Sequence, residues 1–283
     1  MPGRFLIIDG YSQTARDDLA AAGMELAHAL YAHMLTRWLP DAQWDVWLPS
    51  AEQGPPDQKG PRDYRAILWT GSNLNVYDRE NPFVARQVAF ARMAYEAGTP
   101  AFGSCWGLQV AVTAADGEVA PNPRGREIGI ARGIRPTARG REHPMFAGKP
   151  AVFDNFASHL DHVTKLPAGA VVLAGNEFSP VQAIEITHQR GTFWGVQYHP
   201  EYDLHQMACL ISARHRSLLH EGFFQDAVEL GRHLEKLEGL HSEPSRKDLR
   251  WQLAIGEDVL SADLRQLEFR NWIHTMVPRE ARA

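Results

Sequence analysis

Cysteine is scarce in this chain: Cys105 and Cys209 are the only two in 283 residues. So few thiols exclude a disulfide framework and fit a reducing, cytoplasmic setting. Long hydrophobic runs are missing as well. No uninterrupted apolar stretch approaches the roughly 18 residues of a membrane span. Met1-Pro2-Gly3-Arg4 opens onto only a short apolar run ending at Asp9, which is not a secretory signal pattern. There is no excess of positive charge: the formal net charge is −5 and the pI near 6.2, so the electrostatic footprint of a nucleic-acid binder is absent. No cluster has zinc-like spacing, and no Gly-rich phosphate loop follows Glu201. The sequence therefore asks for no metal and no cofactor.

What is present is a chain 44% hydrophobic, enough for a sizeable core in one large domain or in one domain with an appendage. Phe5-Leu6-Ile7-Ile8 is a continuous apolar run, the pattern of a strand buried on both faces. A helical spacing runs from about Ala15 to Leu39, and Trp44–Leu48 and Ala66–Trp69 are further strands. Asn81-Pro82 starts a helix that reaches about Ala97 and stops at Gly98-Thr99-Pro100. This alternation predicts an open, mostly parallel α/β sheet flanked by helices, with its site at one sheet edge. From Glu127 to Asn155 the pattern changes to short antiparallel strands, and arginines crowd at Arg124, Arg126, Arg132, Arg135, Arg139 and Arg141. Such a run is either a solvated face or a surface for an anionic partner.

The sharpest local feature is Pro100-Ala101-Phe102-Gly103-Ser104-Cys105-Trp106-Gly107-Leu108-Gln109. An apolar approach enters Gly-x-Cys-x-Gly, and a helix-compatible run follows, so Cys105 sits at a tight strand-to-helix turn. At a helix N-terminus the unpaired N–H groups favour thiolate over thiol. Taken alone, the pattern fits a nucleophile or a small buried residue equally well. A second stretch shifts the balance: Gly195-Val196-Gln197-Tyr198-His199-Pro200-Glu201 ends a strand in a histidine and, two residues on, a carboxylate. A thiol needs a base, and the base needs a partner to fix its tautomer; His199 and Glu201 supply both. Cys209 lies in an apolar helix without such a motif and reads as packing.

These motifs resemble those of the class I (triad) glutamine amidotransferases. Gly103–Gln109 is similar to the family's nucleophile motif and Gly195–Glu201 to its His-Pro-Glu motif. Ser158-His159-Leu160-Asp161-His162-Val163, followed by Leu166-Pro167-Ala168-Gly169, is similar to a segment of GMP synthetase-type amidotransferase domains, and Thr70-Gly71-Ser72 resembles the oxyanion loop. The resemblance implies a flavodoxin-like amidotransferase fold with a small antiparallel insertion. It further implies Cys105, His199 and Glu201 as catalytic residues, the N–H groups of Gly71 and Trp106 as the oxyanion hole, and Gln109, Ser158 and His159 as substrate-binding residues. The substrate would be glutamine or a γ-glutamyl compound.

The resemblance stops short of the C-terminal region. The polar break from Gly239 to Lys247 divides the chain into an amidotransferase domain, 1–238, and a helical extension, 239–283. Within the extension, Asp258–Val277 reads as a helix apolar on two sides: Leu260, Leu264 and Leu267 on one, and Phe269, Trp272, Ile273 and Met276 on the other. Either one side faces a second copy or a synthase partner, or the helix bends near Glu268 and both sides pack on the same domain. Three functions compete: a glutaminase unit feeding ammonia to a synthase in trans, a γ-glutamyl amide or peptide hydrolase with the same triad, and a catalytically idle binding subunit.

Overall fold

The computed structural model describes residues 3–277. Among the described residues, eleven strands follow in order: β1 (Arg4–Ile8), β2 (Gln43–Trp47), β3 (Ala66–Trp69), β4 (Ala101–Ser104), β5 (Glu118–Pro121), β6 (Glu127–Pro136), β7 (Phe153–His159), β8 (Asp161–Lys165), β9 (Ala170–Gly175), β10 (Ala183–His188) and β11 (Gly191–Val196). Nine of them form one sheet in the order β2-β1-β3-β4-β11-β10-β9-β6-β7, and β5 pairs with β8 in a small antiparallel ribbon. The five strands from β2 to β11 are mutually parallel. Those beyond, β10, β9, β6 and β7, are antiparallel to their neighbours.

Both faces of the inner parallel strands are covered, which is why β1, β3 and β4 are mostly apolar runs, whereas the edge strand β2, Gln43-Trp44-Asp45-Val46-Trp47, keeps polar alternation. Phe5 and Ile7 enter one core cluster with Leu35, Phe102 and Trp272, whereas Leu6 and Ile8 enter another with Trp47, Trp69 and Leu108. Helices Ala27–Trp38 and Leu267–Met276 cover the first face; Pro82–Ala97 and Trp106–Ala114 cover the second. The sheet curls. Although β7 stands four places from β11 in strand order, the backbone N–H of His199 donates to the Phe156 carbonyl at 2.7 Å. The edge strand thus returns over the C-terminal ends of the parallel strands.

Several expected elements are divided. The helical stretch 15–39 is two helices, Gln13–Ala21 and Ala27–Trp38, separated at Gly23, whose φ of 88° is left-handed. The antiparallel region 127–155 also holds a short helix, Ala138–Glu142, between its strands. Helix Ala227–Ser242 runs straight through Gly239, and the polar break falls instead at 243–246. Gly239 marks a close approach, because a Cβ there would lie 3.0 Å from Leu249 Cδ1. The stretch from 257 to 277 is three helices, Glu257–Leu260, Ala262–Arg265 and Leu267–Met276, with breaks at Ser261 and Gln266. Breaking the helix lets both apolar sides meet the same body: Val259 joins the cluster around Met207 and Leu240, and Trp272, fully buried, stacks near Phe102 and Phe269. Of the two alternatives, the second is found: the chain breaks at Gln266, two residues before Glu268, and Trp272 packs inside the same domain. Residues 278–283 of the expected extension lie outside the described residues.

Candidate active site

Parallel pairing of β4 with β11 sets Gly103 beside Gly195 and Ser104 beside Val196. One residue further, the Cys105 N–H donates to the Val196 carbonyl at 2.7 Å. This register delivers Cys105 and His199 to the same sheet edge. At Cys105 the chain reverses from strand into helix Trp106–Ala114 with φ 50° and ψ −100°, outside the regions comfortable for an L-residue. The close crossing explains Gly107, where a Cβ would stand 2.6 Å from Trp69 Cβ and 3.0 Å from its carbonyl oxygen. Cys105 is 4% exposed, and its sulfur lies 3.8 Å from the Ser158 carbonyl oxygen on the returning strand β7.

Nδ1 of His199 lies 2.7 Å from Glu201 Oε1. With Glu201 ionised, Nδ1 carries the proton that the carboxylate accepts. The same carboxylate oxygen accepts from Ser104 Oγ at 2.9 Å, and Ser104 Oγ accepts from the Tyr31 hydroxyl at 2.7 Å. A buried hydrogen-bonded chain thus runs from helix Ala27–Trp38 through the end of β4 to the imidazole. The ring of His199 stacks on Tyr202 with centroids 4.2 Å apart and planes 2° from parallel. Burial opposes the imidazolium, but the Glu201 carboxylate and the Cys105 sulfur outweigh it and push the pKa up to about 9. Burial and the same carboxylate raise the Tyr31 hydroxyl well above its ordinary value.

A cleft of ≈240 Å³ opens beside the thiol, and Cys105, Gln109, Ser158 and His159 all line it. Ser158 Oγ accepts from Arg214 Nη1 at 2.6 Å. His159 is fixed at both ring nitrogens, Nδ1 lying 3.0 Å from the Asp161 carbonyl oxygen and Nε2 2.8 Å from Glu127 Oε2. Its ring is a wall of the cleft with both nitrogens committed. Gly71 follows β3 against the imidazole: a Cβ there would be 2.9 Å from His199 Cε1. Trp106 is the first residue of the helix after Cys105. All eight residues expected from the sequence therefore gather at this edge. Of the crowded arginines, Arg126 reaches the cleft, held by Glu221 through two bonds of 2.8 and 3.0 Å.

The glutamine amidotransferase class-I family model matches residues 55–213, more than half of the chain. The chain belongs to that family. Over 99% of its length it is 34% identical to a γ-glutamyl-L-1-hydroxyisopropylamide hydrolase from a Pseudomonas species, covering 95% of that protein. It is also 37% identical over 136 residues to a glutamine-hydrolysing GMP synthase of Thermosipho africanus, matching 48% of this chain but 24% of the synthase. Among solved structures, a glutamine amidotransferase from Methylobacillus flagellatus aligns over all of this chain and 98% of its own, with a TM-score of 0.68 at 20% identity. Another from Thermotoga maritima gives 0.63 at 18% identity over 90% of this chain and 97% of its own.

Five further residues of this amidotransferase face the site and escaped sequence reasoning: Tyr11, Tyr31, Ser104, Tyr202 and Arg214. Ser104 and Tyr202 adjoin the two motifs and were within reach of it. Tyr11, Tyr31 and Arg214 come from segments that only the fold brings near. Tyr11 lies 3.4 Å, hydroxyl to hydroxyl, from Tyr202; burial first, with Arg214 acting against it, pushes its pKa up to about 12.

Proposed function

We propose that the protein hydrolyses the amide of γ-glutamyl compounds through a cysteinyl thioester. The observation that carries this reading is the meeting of the strained, buried Cys105, which lines the cleft, with the His199–Glu201 pair. In the proposed reaction the Cys105 sulfur attacks the γ-carbonyl carbon, and the oxygen takes up negative charge facing the N–H groups of Gly71 and Trp106. Protonated His199 gives its proton to the amine or ammonia as the C–N bond breaks, leaving a thioester. The imidazole then removes a proton from water, which attacks the thioester; glutamate leaves and the thiol is restored. Glu201 holds the imidazole and stabilises its charged form. Gln109, Ser158 and His159 shape the glutamyl end, with Arg126 and Arg214 supplying positive charge for an α-carboxylate.

Similarity over nearly the whole length to a hydrolase of a substituted γ-glutamyl amide favours N-substituted amides as substrates. A second reading rests on the shorter match to GMP synthases: the protein hydrolyses glutamine and passes ammonia to a synthase chain in trans. The test measures kcat/KM for glutamine and for γ-glutamyl alkylamides and hydroxyalkylamides, with and without cell extract. The hydrolase reading expects the substituted amides to exceed glutamine at least tenfold, without stimulation by extract. A preference for glutamine that rises with extract supports the second reading. Turnover of either class that survives Cys105→Ala overturns the thioester mechanism.

A further inference from the structure

Four of the six crowded arginines converge on one groove. Arg124, Arg126, Arg132 and Arg135 line a hollow of ≈570 Å³, more than twice the ≈240 Å³ of the catalytic cleft. In a regular strand Arg132 and Arg135, three residues apart, would face opposite sides of the sheet. Strand β6 is irregular at this point. Ala131 pairs with Asn155 and Ile134 with Phe153, so one extra residue enters β6 as a bulge. Gly133 takes a left-handed φ of 60° within it, and its N–H donates to Asp154 Oδ1 at 2.8 Å. The bulge thereby brings both arginines to the same groove.

Gathering like charges is unfavourable unless each meets an anion. Arg126 is held by Glu221 and Arg132 by Asp154, each at 2.8 Å. Arg124 donates to a backbone oxygen, that of Glu177, and Arg135 makes no side-chain hydrogen bond or ion pair among the described residues. The carboxylate of Glu127 also reaches the groove, but it accepts from Asn176 and Gln182 at 2.7 Å each and lies 2.8 Å from His159 Nε2. Two arginines are thus left without a carboxylate partner. Ile128, Ile130, Phe178 and Phe223 supply apolar wall beside them. Guanidinium groups next to aromatic and aliphatic side chains suit an anionic group carried on a flat apolar body.

The groove adjoins the catalytic cleft without merging with it. Arg126 lines both. Between them stands the bonded pair of His159, on the cleft side, and Glu127, on the groove side, and Phe178 meets the His159 ring edge-on at 6.3 Å. We propose that Arg124, Arg126, Arg132 and Arg135 form a second binding site, for a small organic anion with a carboxylate or phosphate on an aromatic body, held apart from the thiol. A solvated basic face accounts for exposed arginines, but not for a bulge that collects them around a partly apolar hollow.

The test is calorimetric titration of the full-length protein at low salt. Phenyl phosphate and 3-phenylpropionate present the two anionic groups on one aromatic body, and inorganic phosphate and phenol are the controls. One equivalent of an aromatic anion is expected to bind at least about tenfold more tightly than inorganic phosphate, with no binding of phenol. Whichever of the two binds more tightly identifies the anionic group, and either result supports the site. Arg135→Glu and Arg124→Glu, both at exposed positions, should each weaken binding at least about tenfold. Arg214→Gln, at a residue that lines the cleft but not the groove, should leave it within about twofold. Circular dichroism identifies any variant that has lost its fold; if one charge-reversed variant has, the other decides. The proposal is overturned if neither aromatic anion binds, or if inorganic phosphate or phenol binds as tightly. Undiminished binding in the folded charge-reversed variants, or loss of binding in folded Arg214→Gln, overturns it too.

Discussion

At Gly71 a single hydrogen in place of a methyl group decides where the imidazole stands. A Cβ there would approach His199 Cε1 to 2.9 Å and the Tyr11 hydroxyl to 3.4 Å, so Gly71→Ala must displace the ring. Displacements of this size cost about 100-fold in catalysis. Gly71→Ala is expected to lower kcat/KM by that order while its melting temperature stays near that of the parent, as steady-state kinetics and calorimetry would show. Glu201 acts on the proton instead of the position. Its carboxylate helps to raise the His199 pKa to about 9. A raised folded-state pKa contributes stability that is complete below the unfolded value near 6.5 and is lost as pH climbs through about 9. For catalysis, the proton needed by the leaving amine disappears over the same upper range. The kcat/KM profile is expected to fall on an alkaline limb near pH 9, and Glu201→Gln should move that limb down by about one unit or more. A limb that does not move with this substitution would assign it to another group.

Among the elements, the C-terminal helix Leu267–Met276 does more than cover the sheet. Its Glu268 carboxylate accepts from the hydroxyl of Tyr198, the residue before His199, at 2.5 Å, and lies 3.1 Å from the buried ammonium of Lys149. Just ahead of that helix, Arg265 donates to the Pro200 carbonyl at 3.4 Å. Burial lowers the Lys149 pKa and raises that of Glu268, so this pair is held against the cost of desolvating both charges. Removing one partner leaves the other uncompensated, at a cost of about 3–5 kcal/mol, whereas replacing both by apolar groups of similar volume is close to neutral. Chemical denaturation should therefore find Lys149→Met and Glu268→Leu each strongly destabilising and the double variant far less so; additive losses would rule out the pairing.

This clamp also marks the limit of what the sequence disclosed. The short parallel strands were legible because burial on both faces makes them continuous apolar runs, as in Phe5–Ile8 and Ala66–Trp69. The site was legible because Cys105 and His199 lie in compact motifs at strand ends. The divided C-terminal helices were not. A two-sided apolar pattern such as Leu260 to Met276 looks the same whether its second side meets a partner or its own domain. The contacts of Tyr198 with Glu268 and of Arg265 with Pro200 depend on tertiary packing that no local spacing encodes. Gly239 misled for a related reason, since a glycine that admits Leu249 and one that ends a helix are identical in sequence.

For the molecule as a whole, the curl of the sheet makes the site a product of distant segments: β1 and β3 supply turns, β4 the thiol, β11 the imidazole, and β7 the lid of the cleft. None of the described helices is long and apolar enough to cross a membrane. Removing residues from Glu257 onward would strip away the contacts to Tyr198 and Pro200 while leaving every proposed catalytic residue in place. Such a chain is expected to lose most of the proposed amidase activity and to melt lower; retention of full kcat/KM would show that the clamp is dispensable. The dependence also has a temporal side. On a ribosome adding about 5–20 residues per second, roughly 10–30 s separate synthesis of the thiol from synthesis of Trp272. Throughout that interval the nascent chain carries Cys105 without the contacts that Glu268 and Arg265 make to Tyr198 and Pro200. If the truncated chain loses activity as expected, activity starts only after the C-terminal helix has emerged and docked, and an unfinished chain leaves the substrate untouched.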